Sequence, residues 1–201
     1  MVEQSSYSLI LASTSPRRRQ LVQLLGMRVE SVDAGLSEEY SRKEHPEEIV
    51  VDIASQKKRA YLETMVPTPG KVLLAADTAV FLEGRQLGKP RDEGDAVRML
   101  QALSGNWHEV LTGVDLRIFF EKGGVQDVFF CEKTRVKFRR LPHSSIVAYA
   151  TSKIPLDKAG AYGIQDYGAL FVESIVGDFY NVMGLPLGRI WEVLKDYEVL
   201  V

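Results

Sequence analysis

Cysteine is the scarcest chemistry in this chain. Cys131 is the only one in 201 residues, so no disulfide can close within the chain. A reducing compartment and a buried, inert thiol are expected. Basic charge is not in excess either, with 25 Lys and Arg against 27 Asp and Glu and a formal net charge of −2. That balance argues against a broadly basic nucleic-acid binder, although a local anion site needs only a few well-placed cations. No stretch approaches the roughly 18 consecutive apolar residues of a membrane span. The start, MVEQSSYSLILAS, lacks the basic opening and long apolar stretch of a secretory signal. The expectation is a cytoplasmic protein with neither membrane nor nucleic acid as partner.

Several catalytic signatures are missing as well. There is no GxxxxGK followed by Ser or Thr, so a P-loop nucleotidase is not expected. There is no HExxH, and His45, His108 and His143 are too scattered for a zinc box. No GxSxG elbow presents a nucleophilic serine.

What is present is ordinary for a globular protein: 45% hydrophobic and 26% charged residues. The length suits one large domain or two small lobes sharing a core. Strands and helices alternate without repeats or long linkers. Residues 7–12 read as a short buried strand, and Ser15 then caps a helix with Pro16 in its first turn, closed by Gly26. A second strand is expected over 28–33 and a helix over 46–63, entered at Pro46 with Glu47 and Glu48 in its first turn. A strand over Lys71–Leu82 turns back through Leu87, and a helix follows over 92–103. Residues 107–120 and 125–138 alternate around a Lys-Gly-Gly turn as a β-hairpin. Helices are expected over 143–152 and 186–196, with a Gly-rich, partly stranded segment between them. This order predicts an α/β fold with a mixed sheet flanked by helices.

Two positions break local rules. Arg17, Arg18 and Arg19 occupy the first turn of a helix, where the dipole disfavours cations by roughly 0.3–1 kcal/mol each. A docked polyanion resolves that conflict; a solvated basic turn or arginines salt-bridged elsewhere is the other reading. Asp77 interrupts the apolar run VLLAADTAVF, and burying an unpaired carboxylate there would cost several kcal/mol. It must meet a cation, a metal or several donors, as a general base, a ligand for a divalent ion or a structural aspartate. Glu38 in a nearby loop could add a second oxygen for Mg²⁺, which prefers one or two carboxylates and substrate phosphates. Lys57 and Lys89 would complete a cation set able to neutralise a triphosphate, though each alone reads as surface.

The motifs LILASTSPRRRQLVQLLG, AADTAVF, GKPRD, LSGNWHEVLTGV, PLDKAGAYGIQ and VMGLPL, in that order, resemble the Maf nucleotide pyrophosphatases from Ser8 to about Trp191. The resemblance implies one Maf-like domain, residues 1–201, with a strongly twisted mixed sheet and two lobes around a cleft. It also implies a homodimer and cleavage between the α and β phosphates with Mg²⁺ or Mn²⁺. By this resemblance Asp77 is the proton acceptor, Arg17, Arg18, Lys57 and Lys89 hold phosphates, Ser13 sits at the strand end, and Glu38 lies near the metal and the catalytic water. Arg17, Thr78 and Gln165 match the branch acting on dTTP and UTP, whereas the 7-methyl-GTP branch usually carries Trp, Gln and Glu there. One departure is Gln56, where many members have Glu immediately before the lysine. The competing expectations are a 7-methyl-GTP pyrophosphatase, a nucleotide-binding regulator of cell division, and an anion-binding module without turnover.

Overall fold

The computed structural model describes residues 5–33 and 43–200. Seven strands form one sheet in the order β2-β1-β3-β5-β6-β7, with β4 paired to β3. β1 (Ser8–Ala12) lies parallel to both β2 (Arg28–Val32) and β3 (Lys71–Leu82). β4 (Arg85–Leu87) folds back antiparallel on β3, and β7 (Val172–Val176) runs antiparallel to β6 (Val125–Phe138). β5 (Trp107–Phe119) and β6 are neighbours joined through Gly123 and Gly124, whose φ values of +89° and +92° suit a tight turn. The mixed α/β expectation therefore holds.

The helices are α1 (Pro16–Val22), α2 (Pro46–Thr64), α3 (Glu93–Leu103), α4 (His143–Thr151), α5 (Phe179–Met183) and α6 (Leu187–Asp196). α1 is shorter than the sequence suggests: it tightens into a 3₁₀ turn over Gln23–Leu25 and ends at Gly26, whose φ is +70°. The Gly-rich segment between α4 and β7 is mostly 3₁₀ turns, over Ile154–Asp157, Ala159–Ala161 and Tyr167–Phe171. α5, only five residues long, has no periodic signal strong enough to be read in advance.

The chain divides into two compact units. The first comprises Met1–Asp77, Thr112–Glu132 and Gly184–Val201. β1 and the first half of β3 carry near-continuous apolar runs because both faces are covered, with Leu9, Leu11, Leu73 and Leu74 fully buried. β2 (RVESV), at the sheet's edge, is by contrast largely exposed. Each of the four buried leucines contributes roughly 1.5–3 kcal/mol through apolar burial. Gly113 lets α2 approach β5 closely, since a Cβ there would stand 2.2 Å from the carbonyl carbon of Val50. The second unit comprises Thr78–Leu111 and Lys133–Met183. Its core gathers Leu100, Leu103, Val136, Phe138, Tyr149 and Phe171 around an aromatic cluster. Among the described residues no helix is long and apolar enough to cross a membrane.

Candidate active site

In the first unit, β1 delivers the chain to Ser13, which is buried, and the backbone turns at once into α1. Ser13 Oγ accepts from the Ser15 N–H at 3.2 Å, and Ser15 Oγ accepts from the Arg18 N–H at 3.5 Å. These hydroxyls satisfy donors at the helix start and fix where the arginines emerge. The three arginines then part company. Arg19 is exposed and reaches back to the Thr14 carbonyl at 2.8 Å. Arg17 is half-buried. Arg18 is buried and donates through Nε to the carbonyl of Gly184 at 2.8 Å. Burial draws the Arg18 guanidinium below the ordinary arginine value; Asp77 opposes that shift and Arg17 adds to it. Arginine nonetheless stays charged at neutral pH, so a sheltered cation lies within electrostatic reach of Asp77.

Asp77 lies where β3 opens after five consecutive buried residues, Val72–Ala76. Its Oδ1 accepts from Lys57 Nζ at 2.6 Å, and the two side chains are only 20% and 19% exposed. The intra-strand acid thus meets a cation. α2 runs on to Thr64, so Lys57 stands well inside the helix and not in its final turn. Next to it, Gln56 donates to Asp52 Oδ2 at 2.9 Å, a pairing within one helical turn.

A second charged group fastens α2 from behind. Lys58 is buried and bonds both Asp115 on β5 and Asp127 on β6, the latter at 2.8 Å. Ser55 Oγ donates to Asp115 at 2.6 Å, and Arg117 forks onto Asp127. The Arg117 hydrogen bonds, then Lys58, hold the Asp127 carboxyl down to about 2. Nothing in the sequence singles out this network, because its members are spread from Ser55 to Asp127.

Among the described residues no group of three or more His, Cys, Asp or Glu side chains gathers as a metal cage. Mg²⁺ held mainly by phosphate oxygens and water needs only one or two carboxylates, and Asp77 supplies one beside the cations. The chemistry of the site fits such an ion. Glu38, the other expected ligand, lies outside the described residues.

Thr78, Lys89 and Gln165 belong to the second unit. Thr78 is half-buried on β3, and Lys89 is exposed in the turn after β4, where the Gly88 carbonyl accepts from the Gly160 N–H at 3.1 Å. Gln165 is exposed in the turn between the 3₁₀ segments, with Ile164 beside it buried. The tyrosine and aspartate that hold this turn, Tyr149 and Asp166, carry no sequence signal of their own and emerge only from the contacts.

Comparisons with known proteins bear on the family and the fold. Residues 8–197 match the model of the family described as Maf-like protein. The chain is 43% identical over 188 residues to a dTTP/UTP pyrophosphatase of Thermosipho africanus, covering 94% of this chain and 92% of that protein. It is 44% identical over 191 residues to a dTTP/UTP pyrophosphatase of Bacillus cereus, with 95% and 96% coverage. A dTTP/UTP pyrophosphatase of Thermotoga maritima shares 45% over 194 residues, with 94% and 88% coverage. Among solved structures, a Ham1 protein from Staphylococcus aureus superposes with a TM-score of 0.52 at 11% identity, over 94% of this chain and 99% of that one. A HAM1 protein from Coxiella burnetii gives 0.51 at 15% identity with the same coverages. At such identities these structures speak to the fold alone. With a matched span that takes in β1 through α6, the chain belongs to the Maf-like protein family.

Proposed function

We propose that this protein is a nucleoside triphosphate pyrophosphatase that hydrolyses dTTP and UTP to the monophosphate and pyrophosphate. The observation that carries the reading is the Lys57–Asp77 pair at 2.6 Å with the buried Arg18 in electrostatic reach. Proteins sharing 41–45% of their residues over most of the chain and named dTTP/UTP pyrophosphatases support the substrate class.

In this reading Asp77 takes a proton from water as the water oxygen bonds to the α-phosphorus. The bond from that phosphorus to the bridging oxygen breaks, and pyrophosphate leaves with the electron pair. Lys57 donates to the Asp77 carboxylate and so holds it in place. Arg17 and Arg18 offset charge on the phosphate oxygens, while Ser13 holds the turn that presents them. In the second unit Lys89 supplies a further phosphate cation, and Thr78 and Gln165 recognise the base. A Mg²⁺ or Mn²⁺ ion, held by Asp77 and Glu38 with the phosphates, would supply Lewis-acid charge stabilisation. The reading includes a cytoplasmic house-cleaning role, supported by the solitary Cys131, and a homodimer, supported by the family resemblance.

Pyrophosphate release from a panel of nucleoside triphosphates with Mg²⁺ or Mn²⁺, for wild type and Asp77→Asn, tests it. Selective turnover of dTTP and UTP is expected, falling on the order of 10²–10⁴-fold in the variant. Selective turnover of 7-methyl-GTP would move the chain to the other branch. No turnover by folded wild type would leave a nucleotide-binding regulator.

A further inference from the structure

The turn that carries Gln165 is unusually well tied for an exposed segment. The Tyr149 hydroxyl on α4 donates to Asp166 Oδ1 at 2.8 Å and accepts from the Gly163 N–H at 3.3 Å. The same Asp166 oxygen accepts from the Gly168 N–H at 2.9 Å, and its other oxygen faces Lys158 Nζ at 3.6 Å. Lys158 is buried and anchored in turn on the Ile154 carbonyl and Asp157. The turn is also closed sterically. A Cβ on Gly163 would stand 2.3 Å from Asp166 Oδ2, and one on Gly168 would stand 2.6 Å from the Gly163 carbonyl. Gln165 therefore projects from a loop whose residues on both sides, Ile164 and Asp166, are fixed by burial or by bonding.

We infer that Tyr149 is a specificity-positioning residue, whose hydroxyl ties Gly163 to Asp166 and so fixes the turn that presents Gln165 to the nucleobase. The inference rests on Gln165 meeting the base in the function proposed above. An amide reads uracil or thymine by donating to one ring carbonyl and accepting from the ring N–H. The turn sets the distance and angle at which the amide meets that edge, so loosening the turn weakens the contact on which the choice of uracil over cytosine depends. Burial and the Asp166 charge raise the Tyr149 phenol far above neutrality, so the hydroxyl keeps the proton it donates at working pH.

The test is a double-mutant cycle. kcat and KM for UTP and CTP are measured for wild type, Tyr149→Phe, Gln165→Ala and the double variant, each with its thermal midpoint. Phenylalanine keeps the ring that stacks on Tyr167 at 5.9 Å and meets Phe171 edge-on at 5.2 Å, so only the hydroxyl is lost. Tyr149→Phe is expected to raise KM for UTP roughly tenfold with kcat little changed, and to lower discrimination against CTP by a similar factor. In the Gln165→Ala background the same change should move neither quantity by more than about twofold. Wild-type KM and discrimination in Tyr149→Phe would overturn the inference, as would the full effect persisting without Gln165. A silent Gln165→Ala would overturn it too, and would mark the base assignment as the failed step, since that result appears in the single variant. Should Tyr149→Phe not fold, Asp166→Asn and Asp166→Ala serve instead. Asparagine retains the oxygen that Tyr149 and Gly168 use and should preserve discrimination, whereas alanine should lose it; equal behaviour of the two overturns the inference.

Discussion

Asp77 shows how a single residue can be read in the sequence for its unease and in the structure for its remedy. An acid inside VLLAADTAVF demands a partner, but the run does not say which. The partner is Lys57, 20 residues away in sequence and on a different element. Both side chains are about four-fifths sheltered, so the pair lies between the surface and buried limits for ion pairs. Lys57→Met should cost roughly 1–3 kcal/mol of stability on that basis. Its effect on turnover should be larger, on the order of 10²-fold in kcat/KM, because the base loses the cation that orients it. Steady-state kinetics beside urea unfolding separates the two; a loss of activity no greater than the loss of folded protein would make the pair merely structural. Gln56 is the residue-scale departure from the family pattern. Its amide bonds Asp52, so the acidic oxygen on this stretch of α2 belongs to Asp52.

At the scale of elements, α2 is the piece on which the site depends. Its presence and its span are legible: Pro46, two acids in the first turn and helical spacing of apolar residues predict 46–63, and the helix is Pro46–Thr64. Its seating is not legible. Gly113 on β5 reads as an ordinary residue of a strand, yet a Cβ there would fall within 2.4 Å of three backbone atoms of Val50 and Val51. Backbone cannot swing aside as a flexible side chain can, so Gly113→Ala should lift α2, strain Lys58 from Asp115 and displace Lys57. A destabilisation of about 3 kcal/mol or more is expected by urea unfolding, with a matching fall in activity. Gly188→Ala, where nothing lies within 4 Å of the new Cβ, is the control and should be neutral or slightly stabilising. A Gly113→Ala protein as stable as that control would refute the close approach. The 3₁₀ turns between α4 and β7 and the five-residue α5 were hidden for a related reason: none is long enough to show a period.

For the whole molecule, the consequence that can be measured is how folding responds to acid. His108 in the second unit is buried among Phe138 and Tyr162; its Nε2 bonds the Tyr162 hydroxyl at 2.8 Å, and its Nδ1 is buried without a hydrogen-bond partner. Burial lowers its pKa from 6.5 to about 4. The unfolded chain therefore takes up a proton that the native state refuses between these values. Stability is full above about pH 6.5 and is lost as the pH falls to about 4, by roughly 3 kcal/mol for a shift of this size. Below that, protonation of Asp127, normally near 3.8 and held at about 2, removes a further contribution as the pH falls toward 2. Urea midpoints at pH 7 and 4.5 should differ accordingly in wild type and much less in His108→Phe. Equal slopes in the two proteins would show that the ring is not the sensor.

The amino-acid sequence by itself determined the alternating elements, the mixed sheet, the family and the kinds of charge brought to bear, because periodicity, caps and ordered motifs are properties of neighbours along the chain. Only the tertiary structure decided which charges meet. Lys57 on Asp77, Lys58 on Asp115 and Tyr149 on Asp166 join residues 20, 57 and 17 positions apart. The same holds for which glycine must stay bare and which histidine loses water. Pairing, close approach and burial depend on distances between elements, and those are fixed only when the layers pack.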